Sequence, residues 1–296
     1  MQPGFSLPSF AKINWTLRVI GKRGDGFHEL FTVFQTVSLQ DTIHFAASDG
    51  LKLTCDDSHV PTGDRNLIVQ AAKALQTASG TDHGAHIHLE KRMPSPGGLG
   101  GGSSNAAVAL IGLRRLWNVE VDDHKVVEIA RALGSDVPFF LHGGTAIGTG
   151  RGEDIEPTSE IASENVLIVT PDISVSTRDA FGEMAARTLT IEESNRILRV
   201  CRLEAESSDL RRSVLINDFE ASVFSAYPEI KRVKDTLLDL GASRAALSGS
   251  GASVFAIFDK KEARQAAQEA LGYEPTWRKF VVSTISRNKY REALGI

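Results

Sequence analysis

Residues 94–105 read Pro94-Ser95-Pro96-Gly97-Gly98-Leu99-Gly100-Gly101-Gly102-Ser103-Ser104-Asn105, and they run straight into the apolar stretch Ala106–Leu113. Glycine backbones present N–H groups and let an anion approach closely, while serine hydroxyls add donors and can cap a helix. The N-terminus of the helix that follows adds about half a positive charge. Together these make a site for phosphate groups. A flexible linker ahead of a capped helix would share the composition, but linkers rarely run into a helix apolar on almost every side. No Gly-Lys-Ser/Thr ends the loop and no frame gives G-x-G-x-x-G, so the Walker, dinucleotide and protein-kinase motifs are absent.

Upstream, Ile13, Trp15, Leu17 and Val19 alternate with Lys12, Asn14, Thr16 and Arg18, the period of a half-buried strand. A turn-rich stretch, Gly21–Gly26, follows it. Further strands are predicted at Thr42–Ala46, Leu51–Cys55 and Ala85–Leu89, and a helix over Asn66–Leu75. Downstream, Asp122 or Asp123 caps a helix that Gly134 ends. A second glycine-rich stretch, Gly143–Gly152, leads into acidic, polar residues 153–164 and marks the candidate domain boundary. Beyond it come a buried strand at Val166–Val169 and helices around Ile191–Val200 and Ile230–Leu240. Ala245–Leu247 and Val254–Phe258 flank a third Gly/Ser loop, and a helix over Lys261–Leu271 precedes a closing strand at Val281–Ile285. Strands and helices mix in both halves, so the class is α/β or α+β. The expected domains are 1–158 and 159–296.

Four other places could carry chemistry. Lys12 and Asn14 share the polar face of the first strand, where a lysine taken alone is most simply a solvated charge. In Gly134-Ser135-Asp136-Val137-Pro138, Asp136 could cap the next helix or deprotonate an attacking hydroxyl. Ser248-Gly249-Ser250-Gly251-Ala252-Ser253 reads equally as a hairpin loop or as a second set of backbone donors. In Asp25-Gly26-Phe27-His28, the ring and imidazole could stack on a base and read its edge, or form an ordinary turn. His86 and His88 share one strand face without a third ligand, which makes a poor metal site.

Taken together, these segments resemble the small-molecule kinases grouped with galactokinase, homoserine kinase, mevalonate kinase and phosphomevalonate kinase. Ala11-Lys12-Ile13-Asn14 and the stretch Gly21–Leu30 narrow the resemblance to the 4-diphosphocytidyl-2-C-methyl-D-erythritol kinase family of the non-mevalonate isoprenoid pathway. Asn66-Leu67-Ile68, Gly134–Pro138, Asn217-Asp218-Phe219-Glu220 and Ser248–Ala252 continue it in order over nearly the whole chain. The resemblance implies a two-domain fold, an N-terminal ribosomal-S5-like domain that binds ATP and a C-terminal ferredoxin-like domain. It implies phosphorylation of the substrate's 2-hydroxyl, with Lys12 and Asp136 as the catalytic pair. Pro94, Gly97, Gly98, Leu99, Gly100, Gly101, Gly102, Ser103 and Ser104 would cradle the ATP phosphates, and Asn66 and Lys91 would line the adenine pocket. Asn14, Phe27, His28, Thr177, Phe181, Gly249 and Ser250 would meet a substrate carrying a cytidine diphosphate group. Phe27 stands where the family usually has tyrosine, which keeps the stacking and loses a hydroxyl contact. Ser9, Phe10 and Trp15 also depart from the family pattern, and none of them is expected to touch the chemistry. A non-catalytic nucleotide-binding protein on the same fold, or a related kinase for another small alcohol, is the alternative.

The chain has 296 residues, a formal net charge of −4 and 26 glycines. That length buries a core without disulfide or metal staples. The mildly acidic balance and 7% aromatic content oppose nucleic-acid binding, which needs a basic footprint. Cys55 and Cys201 form neither a disulfide framework nor a zinc site, as expected in a reducing, cytoplasmic setting. No signal peptide and no membrane span are expected. Mg²⁺ would be held mainly by ATP oxygens and water rather than by a protein cage. The expected state is a monomer or weak homodimer.

Overall fold

The computed structural model describes residues 4–176, 180, 188–207 and 214–296. Strand β1 (Phe5–Lys22) turns through Asp25-Gly26 into β2 (His28–Ser48), and the two pair antiparallel along almost their whole length. Both are far longer than the alternating segments predict. Short runs of polar residues inside them are tolerated because both strands are covered by other elements. Strands β3 (Leu51–Cys55), β4 (Gly84–Glu90), β5 (Thr145–Thr149) and β6 (Asp154–Pro157) complete most of the first sheet. Its order is β3-β4-β2-β1-β8, with β5 pairing to β2 and β6; β8 is the short strand Ile216–Asn217.

Helices α1 (Leu67–Ser79), α2 (Gly101–Trp117), α3 (Asp123–Leu133) and α4 (Phe139–His142) pack on this sheet around Phe34, Ile43, Phe45, Leu110, Leu113 and Phe139. Asn66 caps α1 by accepting the Ile68 N–H at 2.9 Å, and Asp122 caps α3 by accepting the His124 N–H at 2.8 Å. Helix α2 starts at Gly101, five residues earlier than expected. Its N-cap is Gly100, and no serine caps it. Ser103 and Ser104 instead lie inside the first turn.

The second sheet runs β11-β7-β10-β9, every pair antiparallel, from β7 (Val166–Pro171), β9 (Arg244–Leu247), β10 (Val254–Ile257) and β11 (Trp277–Val282). With α7 (Pro228–Asp239) and α8 (Lys261–Ala270) in the connections, this is the β-α-β-β-α-β arrangement in the spatial order 4-1-3-2. Helices α5 (Ile191–Ser207), α6 (Glu220–Ala226) and α9 (Arg287–Leu294) complete the described elements. α6 and α9 lack a clear sequence signal because each is short. The closing strand lies at Trp277–Val282, earlier in the chain than predicted.

The Gly143–Gly152 stretch, read as the candidate boundary, has β5 at its centre, hydrogen-bonded to β2. Two later elements also return to the first sheet. β8 pairs parallel with β1, and Tyr290 and Leu294 of α9 sit in the first core. A further apolar cluster joins the halves, with Ile13 and Trp15 of β1 packed against Ile168, Ala246 and Phe255. Trp15 meets Phe255 edge-on at 6.1 Å.

One contact in the first core sets a stability test. An added Cβ at Gly112 would lie 2.4 Å from the buried ring of Phe45. Gly112→Ala should destabilise the fold by about 1–3 kcal/mol through overpacking. Denaturant unfolding measures it, and a neutral or stabilising result would show that the ring shifts freely.

Candidate active site

The polar side chains of β1 are buried along with its apolar ones. Lys12 is 3% exposed and Asn14 1%, so the solvated reading of Lys12 is overturned. The lysine stem passes Gly100, where an added Cβ would stand 3.0 Å from its Cγ, and its ammonium lies 5.7 Å from the Phe34 ring centroid. Lys12 Nζ donates to Asn14 Oδ1 at 2.8 Å and stands 3.5 Å from Asp136 Oδ2. Asp136 keeps a third of its side chain exposed. It does not cap α4, whose N-cap is Pro138 with no side-chain bond.

Asn14 is held from every side. Its Oδ1 also accepts the Gly249 N–H at 2.9 Å, and its Nδ2 donates to Thr32 Oγ1 at 2.8 Å. Thr32 Oγ1 passes a bond on to the Thr16 carbonyl at 2.8 Å. A positive charge this deep is tolerated only when its donors are satisfied and an opposite charge is near. Burial lowers the Lys12 pKa, and Asp136 opposes that shift.

Two glycine loops close over this pair. Ser248 Oγ donates to the Gly98 carbonyl at 3.0 Å, and the Ser253 N–H donates to the Gly97 carbonyl at 3.1 Å. The Lys12 N–H donates to the Leu99 carbonyl at 2.9 Å. Gly98 has φ +73°, and an added Cβ there would lie 2.0 Å from the Ser248 carbonyl oxygen. Gly249 has φ +60°, and a Cβ there would lie 3.1 Å from Lys12 Nζ. Both positions therefore need glycine, for conformation and for room. Of the two readings of the 248–253 loop, a plain hairpin is too little: it packs on the first loop and donates to Asn14.

The first turn of α2 carries no acidic residue, and its last turn carries Arg114 and Arg115, which leaves a positive N-terminus at the loop. A Cβ at Gly134, two residues before Asp136, would lie 3.9 Å from Ser103 Oγ, so the Asp136 segment faces that first turn. Ser104 is fully buried and accepts from Ser9 Oγ at 2.8 Å. Ser9 is thereby tied to the end of the glycine-serine stretch. Pro94 is buried beside Gly97, with its carbonyl 3.0 Å from an added Cβ there. A Cβ at Gly102 would meet only Leu67 Cδ1, at 3.7 Å, so Asn66 and α1 start beside this turn. The Asn66 amide is taken up locally, donating to the Pro61 carbonyl at 2.7 Å as well as capping α1. The Lys91 ammonium is likewise engaged, 2.9 Å from the buried carboxylate of Asp41.

Phe27 and His28 stand at the tip of the β1–β2 hairpin, with His28 opposite Lys22, whereas the glycine loops meet β1 near its middle, at Lys12 and Asn14. The Phe27 ring is half exposed, and the Arg151 guanidinium lies 4.8 Å from its centroid. Burial and the nearby Lys22 lower the His28 pKa, which favours a neutral imidazole. Ser250 is partly exposed beside Gly249. Thr177 and Phe181 lie outside the described residues.

Sequence reasoning quoted Asn217–Glu220 as a match without a task. The structure makes the segment a strap between β1 and the second glycine loop. Asn217 Nδ2 donates to the carbonyls of Leu247 and Gly249, both at 2.8 Å, Asp218 accepts the Val19 N–H at 2.8 Å, and Glu220 accepts the Leu247 N–H at 3.0 Å. Thr32 and Asp41 were missed altogether, since a lone polar residue in an apolar strand gives no pattern to read.

Residues 66–144 match the family described as GHMP kinases N terminal domain, and residues 190–274 match GHMP kinases C terminal. The 4-diphosphocytidyl-2-C-methyl-D-erythritol kinase of Solibacter usitatus is 39% identical over 96% of this chain and 90% of that protein. The enzyme of the same name from Chlorobium limicola is 42% identical over 87% of this chain and 89% of its own. A crystal structure of 4-(cytidine 5'-diphospho)-2C-methyl-D-erythritol kinase superposes with a TM-score of 0.76 at 32% identity, covering 95% of this chain and 99% of that one. Homoserine kinase from Cytophaga hutchinsonii, at 21% identity and a TM-score of 0.70 over 97% of this chain and 96% of its own, shares the fold.

The electrostatics of the pair can be measured directly. Asp136→Asn removes the charge that raises the Lys12 pKa, so that pKa should fall further below the ordinary lysine value. An NMR titration of the Lys12 Nζ resonance reads it, and an unchanged midpoint would mean that Asp136 exerts no field there. Because the folded pKa lies below the unfolded one, this group's contribution to stability grows as pH rises from the folded toward the unfolded value.

Proposed function

The chain belongs to the 4-diphosphocytidyl-2-C-methyl-D-erythritol kinase family of GHMP kinases, and we propose that it transfers the γ-phosphoryl group of ATP to the 2-hydroxyl of 4-diphosphocytidyl-2-C-methyl-D-erythritol. One observation carries this reading. A buried lysine and a half-open aspartate, 3.5 Å apart, sit where two glycine loops and a helix N-terminus converge. Phosphoryl transfer asks a protein mainly for positioning and for donors to the charged oxygens. Residues 97–104 supply such donors from one side, and Gly249 and Ser250 approach from the other.

In this reading the substrate's 2-hydroxyl oxygen forms the new bond to the γ-phosphorus, and the bond to the β–γ bridging oxygen breaks. Asp136 receives the hydroxyl proton. Lys12 keeps Asp136 ionised and, with Asn14, fixes its place. Asn66 and Lys91 border the adenine end. Phe27 stacks on the cytosine and the neutral His28 reads its edge, well along β1 from Lys12 and Asn14, which suits an elongated substrate. Thr177 and Phe181 are assigned to the cytidyl side by family resemblance.

ATP is the phosphoryl donor throughout the GHMP kinases. Mg²⁺, when bound, neutralises charge on the β- and γ-phosphates. Among the described residues no group of three or more His, Cys, Asp or Glu could hold a metal ion. Mg²⁺ would be held mainly by ATP oxygens and water. We place the boundary between the two domains near residues 158–159, where β6 ends and the chain leaves the first sheet. We propose that the protein works as a monomer or weak homodimer. No helix among the described residues is long and apolar enough to cross a membrane. A cytoplasmic setting suits its use of ATP.

A coupled ATP-consumption assay should show turnover with the cytidyl substrate and none with mevalonate, homoserine or galactose. Turnover of one of those alone would leave only a kinase of another small alcohol. Asp136→Asn should lower kcat by about 10²-fold or more, in the range of lost proton-transfer catalysis, with ATP affinity retained. Undiminished kcat would remove Asp136 from the chemistry. In the wild type, kcat should fall on the alkaline side as Lys12 loses its proton, at a pH below that of an ordinary lysine.

A further inference from the structure

Asp41 is fully buried in β2, directly opposite Ser9 of β1, and it has no place in the chemistry above. Its Oδ1 accepts the N–H groups of Arg92 at 2.7 Å and Met93 at 2.8 Å. Its Oδ2 accepts from Lys91 Nζ at 2.9 Å and from Asn105 Nδ2 at 3.1 Å. Residues 91–93 lead into the glycine loop, and Asn105 lies in α2 just after it. One carboxylate on a rigid hairpin therefore holds the loop at both ends. Lys91 also donates to the Met93 carbonyl, which tightens the entry side.

The charges fit the same task. A carboxylate close to the start of α2 suits the helix dipole but would repel phosphate. The Lys91 ammonium, 3.6 Å from where a Cβ at Gly101 would stand, cancels that charge locally. We propose that Asp41, with Lys91, is a positioning residue that sets the shape of the phosphate loop, so that ATP affinity depends on it although it touches no ligand. This rests on residues 97–104 holding the ATP phosphates.

Three variants test it by calorimetric ATP titration, steady-state kinetics and thermal unfolding. Asp41→Asn keeps the shape and removes the charge. Asn105→Ala cuts the helix-side tie and also removes Asn105 Oδ1, a buried acceptor with no hydrogen-bond partner, so it should fold normally. Both should weaken ATP binding about tenfold, or roughly 1.4 kcal/mol, with the KM for the cytidyl substrate changed less than about twofold. A lowered melting temperature with unchanged ATP affinity in both would make Asp41 purely structural and overturn the proposal. Gly102→Leu adds a side chain to the proposed phosphate loop, beside Leu67 and away from Asp41. If it weakens ATP binding while Asp41→Asn and Asn105→Ala do not, the positioning role alone is wrong. If it too leaves ATP binding unchanged, the phosphate-loop assignment fails and the positioning role goes with it.

Discussion

The site depends on how closely two glycine loops approach each other. The backbone at Gly98 lies so near the 248–251 loop that a Cβ would stand 2.0 Å from the Ser248 carbonyl oxygen, and a Cβ at Gly251 would stand 2.3 Å from the Gly98 nitrogen. No side chain larger than hydrogen fits either place. That contact seats the second loop on β1, where the Gly249 N–H reaches Asn14. Asn14 in turn holds Lys12, and Lys12 lies within 3.5 Å of Asp136. Residues from four distant parts of the chain thus meet at one point through backbone geometry.

The buried ammonium is the costly element of this arrangement. Taking a lysine out of water costs several kcal/mol after relaxation, and one ion pair at moderate distance does not recover it. The remainder comes from Asn14, whose carbonyl oxygen accepts from Lys12 while its amide is fixed through Thr32. Such a site is stable only if its polar groups are all paired. The Asn217–Glu220 strap serves the same end from the other side, holding the carbonyl of Gly249 as Asn14 holds its N–H. A pre-arranged ammonium and carboxylate need no reorganisation when a phosphoryl group is transferred.

Much of this was legible in the sequence, for identifiable reasons. The loop 94–105 announced itself by composition, and the helix after it by its continuous apolar run. Alternation alone leaves Lys12 reading as a solvated charge, because period two assigns faces but cannot tell what covers them. Here Lys12 and Asn14 are covered by the glycine loops, and Ile13 and Trp15 pack on the second sheet. Strand β5, inside the Gly143–Gly152 stretch, left no signal because dense glycine interrupts the alternation that marks a strand. Ser9 looked remote from the chemistry, and only the fold brings it to Ser104. Asp41 and Thr32 left no mark, since the partners that give them meaning are far away in the chain.

The sequence by itself determined the local pieces: the glycine-serine loop, the α/β class, most helices, the Asp122 cap, and the family to which the chain belongs. These follow from backbone conformation and short-range periodicity, which need no knowledge of distant residues. Only the tertiary structure decided that Lys12 is buried rather than solvated, that Asp136 faces it rather than capping α4, and that Asp41 ties both ends of the loop. Each of those depends on desolvation and on partners tens to hundreds of residues away. Solvent exclusion and long-range contact exist only once the chain has closed on itself.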